Sequence, residues 1–145
     1  MKKIFSVFIT LLIIPSLVFA KGQCQRLSDE QYRNQLTSHP QVFPFNDGGK
    51  TGTMTFTFDK NGTGKVNVTF KCYFGAGVFD AEFDWSVNNA ILHRHMTKAW
   101  HNDTHNKNLN MELDYWVQGT LEDPDEDVPL DTCGSNQTIK LRLKH

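Results

Sequence analysis

From Thr51 onward, apolar and polar residues alternate with a period of two, the signature of strands with one buried face. In TGTMTFTF (51–58), Met54, Phe56 and Phe58 share one face and threonines the other. KVNVTFKCYF (65–74) places Val66, Val68, Phe70, Cys72 and Phe74 together, and VFDAEFDWSV (78–87) does the same for Phe79, Ala81, Phe83, Trp85 and Val87. AILHRHMT (90–97) reads as the next strand, with Leu92 and Met96 inward and His93 and His95 outward. LNMELDYWVQGTL (109–121) resumes the alternation, with Leu109, Met111, Leu113, Tyr115 and Val117 opposite Glu112, Asp114, Trp116 and Gln118. QTIKLRLKH (137–145) closes with Ile139, Leu141 and Leu143 on one side.

The segments between strands carry turn chemistry. DKNGTG centres a hairpin on Asn61 and Gly62, a pair suited to positive φ. Gly75–Gly77 breaks the chain, and Asn88 and Asn89 turn it. His39–Lys50, with two prolines and Asp-Gly-Gly at its end, reads as an irregular lead-in; Lys98 to about Asn110 reads as a polar loop and EDPDEDVPLDTCGSN as a long acidic one. Before the strands, SDEQYRNQL (28–36) has a capping-box pattern, Ser28 with Gln31 three residues on. These elements predict a mainly β protein, an antiparallel up-and-down meander curling into a small barrel or half-barrel plugged by a short N-terminal helix. A β-sandwich is the second expectation.

GTMTFTFDKNGTGKVNVTF followed by FDWSVNNAIL resembles the repeated hairpin of bacterial secreted lipocalin-like (calycin-type) domains. The matching residues are Gly52, Thr53, Phe56, Asp59, Gly62, Gly64, Phe83, Trp85, Val87 and Asn88. Met54 stands where lipocalins carry a tryptophan, and six strands are evident instead of eight. The resemblance implies a small barrel with an apolar cavity; it carries over no ligand and no binding residue.

The N-terminus adds a compartment. MKK, an apolar run and VFA form a secretory signal-peptide pattern cleaved after Ala20. Residues 21–145 are then expected to form one exported domain, periplasmic or secreted, with no membrane span. Without Lys2 and Lys3 the chain has thirteen basic against sixteen acidic residues, a net charge of −3, so no basic field invites nucleic acid. Of three cysteines, Cys72 lies on an apolar strand face, while Cys24 and Cys133 lie in polar segments near the ends. Cys24–Cys133 is the expected disulfide, with Cys72–Cys133 the alternative.

Candidate chemistry is sparse. The inward aromatics Phe56, Phe70, Phe83, Trp85 and Tyr115 would line a cavity for a small apolar ligand or fill a solid core. Four of the six histidines (His93, His95, His101, His105) fall between Ile91 and Lys107. With a loop histidine (His101 or His105), or with Glu112 or Asp114 from a neighbouring strand, His93 and His95 would supply three or four zinc or copper ligands; otherwise they form a solvated patch that gains charge near pH ~6. Of Asp123, Asp125, Asp127 and Asp131, the first three are spaced like the opening of a calcium loop, but Val128 replaces the turn glycine and no bidentate Glu follows. No nucleophile motif appears. The sequence points to a non-enzymatic binding module for a small apolar molecule or a protein, then to a zinc or copper binder, then to a ligand-free interaction protein.

Overall fold

The computed structural model describes residues 26–130. The elements run α1 (Asp29–Ser38), β1 (Gln41–Asp47), β2 (Lys50–Phe58), β3 (Thr63–Cys72), β4 (Gly75–Asn88), β5 (Ile91–His101), α2 (Lys107–Glu122) and β6 (Asp125–Pro129). The six strands form one antiparallel sheet in sequence order, β1 to β6. The sheet is a curled half-barrel whose inner face holds the core, with α1 and α2 laid against it.

The meander from β2 to β5 follows the alternation. Phe56, Phe58, Val66, Val68, Phe70, Phe79, Ala81, Phe83 and Val87 are buried, while the intervening Thr57, Lys65 and Asp84 are exposed. Two glycines on this inner face let the sheet curl. Gly64 stands in register between Phe58 and Phe83, and a Cβ there would lie 2.4 Å from the Phe83 ring. At Gly77 a Cβ would lie 2.7 Å from the ring of Phe70, its register partner. Each ring thus occupies the space a side chain would take, as aromatics do over strand glycines.

Trp85 ties the β2–β3 hairpin to β4. Its indole N–H donates to the carbonyls of Asp59 (3.1 Å) and Thr63 (2.8 Å), and its backbone N–H donates to the Gly62 carbonyl at 2.8 Å. Gly62 has φ +88° at this turn, a conformation open to glycine.

The helix before the strands is capped reciprocally: the Gln31 N–H donates to Ser28 Oγ (3.2 Å) and the Ser28 N–H to Gln31 Oε1 (2.9 Å). Tyr32 and Leu36 face the core. The Asp29 carboxylate accepts from the N–H groups of Asn89 (3.0 Å) and Ala90 (2.9 Å), the two positive-φ residues of the β4–β5 turn. The Ala90 hydrogen bond above all holds the Asp29 pKa below its ordinary value; desolvation opposes it, and the Asn89 hydrogen bond and the nearby Arg33 and Arg26 charges add to the lowering.

Five expectations are corrected. The polar loop expected from Lys98 to about Asn110 is shorter, since β5 runs on to His101 and α2 starts at Lys107. His39–Lys50 is not irregular: β1 occupies Gln41–Asp47, paired only with β2, and such an edge strand tolerates Pro44. Gly75–Gly77 begins β4 instead of breaking the chain; the turn is at Tyr73 and Phe74, which leaves Phe74 41% exposed. Residues 109–121 form a helix, not a strand. Asn106 caps it, accepting from the N–H groups of Asn108 and Leu109, and Leu109, Leu113 and Trp116 form the buried stripe at helical spacing. The acidic segment is not a loop: Asp125–Pro129 is β6, paired with β5. Residues 1–20, Cys24, Asp131, Cys133 and the strand expected over 137–145 lie outside the described residues.

Candidate functional site

A bulge in β5 turns its last histidine, His101, to the opposite face from His93 and His95. The register with β4 shifts between Glu82 and Phe83, so that Glu82 pairs with Lys98 and Phe83 with Met96. Thr97 is the extra residue, and its hydroxyl donates to the Glu82 carbonyl at 3.2 Å. Before the bulge, Leu92, Arg94 and Met96 face inward and His93 and His95 outward. After it, parity reverses: Ala99 and His101 pair with the inward Ala81 and Phe79.

The expected histidine cluster is therefore distributed. His93 Nδ1 lies 2.5 Å from Asp127 and His95 Nδ1 lies 2.7 Å from Asp125, both on β6. His101, its side chain 8% exposed, meets Asp114 of α2 at 2.8 Å, and His105 is exposed in the loop before α2. Glu112 is nowhere near His93 and His95; it forms an ion pair with Lys50 and accepts from the Trp116 indole at 3.2 Å. Among the described residues no three His, Cys, Asp or Glu side chains converge as metal ligands. The zinc or copper site built from His93, His95, His101, His105, Glu112 and Asp114 is not assembled, because Glu112 and Asp114 lie on a helix and acids of β6 take the cross-strand positions.

Desolvation pulls the His101 imidazole down. The Asp114 hydrogen bond, the Asn102 carbonyl and the charges of Asp114 and Asp103 outweigh it, so the net pKa is raised.

The half-barrel does contain a cavity, between the inner face of the sheet and the C-terminal end of α2. Met54, Phe56, Val68, Phe79, Met96 and Trp116 form its apolar wall. Gly119 and Thr120 of α2 and the Asp123–Glu126 segment form the remainder. The space, partly open to solvent, is about 60 Å³, room for one small group and well below the ~300–1,000 Å³ of drug-sized sites. Of the aromatics expected to line a cavity, Phe56 does so. Phe70, Phe83 and Trp85 are buried in the core around it, with the Phe70 ring centre 4.6 Å from that of Trp116 at an interplanar angle of 37°. Tyr115 is 69% exposed, because α2 turns it away from the stripe that Leu113 and Trp116 occupy.

Against this cavity stands a charged group that period-two reading passed over. Arg94 lies between Leu92 and Met96 on the inner face of β5 and is 2% exposed. Its Nη2 donates to Glu126 Oε2 at 2.6 Å. Its guanidinium carbon lies 5.2 Å from the Phe56 ring centre and 6.0 Å from that of Phe83. Nε and Nη1 are buried with no acceptor among the described residues. Burial pulls the Arg94 pKa below its usual value, with Glu126 opposing. An arginine at an apolar position of a strand is the one sequence signal that marks this group.

No protein-family model matches the chain, and no curated protein resembles it significantly. Among the described residues no helix is long and apolar enough to cross a membrane.

Proposed function

We propose that this chain is an exported, lipocalin-like binding protein that takes the apolar end of a small molecule into its half-barrel. The observation that carries this reading is the cavity beneath α2, walled by Phe56, Phe79, Met54, Met96 and Trp116. Apolar pockets with a few convergent polar groups are the usual form of small-ligand sites. The size of the space limits what enters to one end group, with the rest of the ligand lying outside it. The signal-peptide pattern at residues 1–20 supports export.

Xenon tests this reading directly, since dry apolar cavities take it up. In xenon-saturated solution, the backbone resonances of Met54, Met96 and Trp116 are expected to shift saturably, and Ala81→Phe, which fills the wall, abolishes the effect. Absence of any xenon-dependent shift at these residues refutes the reading. A protein partner is the second reading, favoured by Tyr73 at 95% and Tyr115 at 69% exposure. Large exposed aromatics are enriched at protein interfaces, and a pull-down lost with Tyr73→Ser and Tyr115→Ser would support it.

A further inference from the structure

The β3–β4 turn departs from the turn chemistry of its neighbours. Two-residue hairpin turns favour glycine and asparagine, because their backbone takes positive φ. Gly48 and Gly49 join β1 to β2, and Asn89 and Ala90 join β4 to β5, all four at positive φ. Cys72 pairs with Gly75, so Tyr73 and Phe74 make up the whole β3–β4 turn. Neither has positive φ, and Gly75 takes φ +129° after them. Tyr73 is 95% exposed, and the two rings stand edge to face with centres 5.5 Å apart. The turn is nonetheless held in place: the Asn106 side chain that caps α2 also donates to the Phe74 carbonyl at 2.8 Å. Local rules are broken where function requires it, and anchors already fixed lose little entropy on binding. A held turn that keeps two aromatics out of the core is therefore a docking element.

The sheet beside the tip carries the chemistry of its partner. One step from the Cys72–Gly75 pair, Lys71 pairs with Ala76, and Thr69 pairs with Val78. These four and Thr51 are exposed and line an open groove of about 410 Å³ on the outer face of the sheet. No Asp or Glu lines it, and Lys71 forms no ion pair among the described residues. The next acid along the outer face of β4, Asp80, accepts from the Asn67 amide at 2.7 Å. The groove thus offers an unmatched ammonium and two threonine hydroxyls, which suit a phosphate. The tip offers two aromatic rings with Val78 behind them, which suit the boundary between headgroups and acyl chains. Tyrosine is favoured at that boundary because its ring is apolar and its hydroxyl wet, and a lysine there lays its stem on apolar surface with its charge among the headgroups. We propose that the β3–β4 tip docks the protein on an anionic phospholipid bilayer, with Tyr73 and Phe74 entering the interface and Lys71 meeting a lipid phosphate at the groove. This surface is separate from the cavity beneath α2 and stands whether or not that cavity takes a ligand.

Co-sedimentation of residues 21–145 with vesicles tests this, using phosphatidylcholine alone and phosphatidylcholine mixed equally with phosphatidylglycerol. Binding is expected to the mixed vesicles and to weaken as salt rises. Lys71→Gln should lower the affinity about fivefold, and the double variant Tyr73→Ser/Phe74→Ser roughly tenfold or more. All three positions are exposed, and an unchanged thermal midpoint shows that folding is not what was lost. In wild-type protein on nanodiscs of the same mixture carrying a nitroxide lipid, the amides of Lys71 to Gly75 should broaden before those of α2. Absence of binding to the mixed vesicles overturns the proposal. So does binding that survives loss of both rings, or broadening centred elsewhere. Glycerol phosphate that shifts the Lys71 and Thr69 amides while vesicles bind nothing marks a small-anion site and overturns it too. A protein partner held through Tyr73 by a chain indifferent to vesicles has the same consequence.

Discussion

Gly64→Ala tests whether the curl of the sheet depends on a ring lying over a glycine. A Cβ at residue 64 would stand 2.4 and 2.5 Å from two atoms of the Phe83 ring and 2.8 Å from the Thr57 carbonyl oxygen. Carbon atoms in contact prefer ~3.5–4.0 Å, so the ring must move by roughly 1 Å. It has little room to do so: Phe83 is 1% exposed and packs on Phe58 and Phe56 at centroid distances of 5.4 and 6.3 Å. Overpacking of this kind costs about 1–3 kcal/mol, against a gain of about 0.4–1 kcal/mol from restricting the unfolded chain. The net loss of about 1–2 kcal/mol corresponds to a Tm lower by roughly 4–9 °C for a domain of this size. Urea and thermal unfolding followed by circular dichroism measure it. Gly49→Ala separates space from torsion, since Gly49 has φ +79° and no atom within 4 Å of a Cβ; its cost, about 1–2 kcal/mol, should not depend on Phe83. In a Phe83→Leu background the Gly64→Ala penalty should shrink, since neighbours in contact couple. An unchanged penalty in that background, or a Gly64→Ala protein as stable as wild type, refutes the steric argument.

Leu113→Ala should cost about 2–5 kcal/mol, while Tyr115→Ala should stay within about 0.5 kcal/mol; equal losses would contradict the helix. Trp85→Phe removes the indole donor shared by the Asp59 and Thr63 carbonyls, and about 1–2 kcal/mol of stability should go with it, measurable as a lower urea midpoint with unchanged slope. The raised His101 pKa means that the folded state binds its proton more tightly than the unfolded chain. Its contribution is therefore complete below the ordinary imidazole pKa and is lost as pH rises through the raised value. Asp114→Asn should destabilise more at pH ~5.5 than at pH ~8.5, and a difference that grows with pH would refute this assignment.

The sequence alone determined the antiparallel order of β2 to β5, the hairpin at Asn61 and Gly62, the inner and outer faces as far as Met96, and the capped helix before the strands. Strand alternation, turn residues and capping are local, and nothing in the tertiary structure opposes them there. Residues 109–121 mark where local pattern fails. Leu109, Leu113 and Trp116 satisfy a helix, while Leu109, Met111, Leu113 and Tyr115 satisfy a strand, and both readings share Leu109 and Leu113. Tertiary packing separates them, since the concave sheet accepts Trp116 between Phe70 and Phe79 and leaves Met111 and Tyr115 in solvent. The histidines show the same limit. His93 and His95 keep the outward facing that the alternation predicts, but a single extra residue at Thr97 reverses the parity beyond it and turns His101 inward, and a bulge leaves no mark in the pattern on one strand because it is defined by the register with another. Arg94 was visible as a residue and invisible as a buried charge: it packs against Phe56 and Glu126, which are 38 and 32 positions away along the chain. Only the folded chain brings them together.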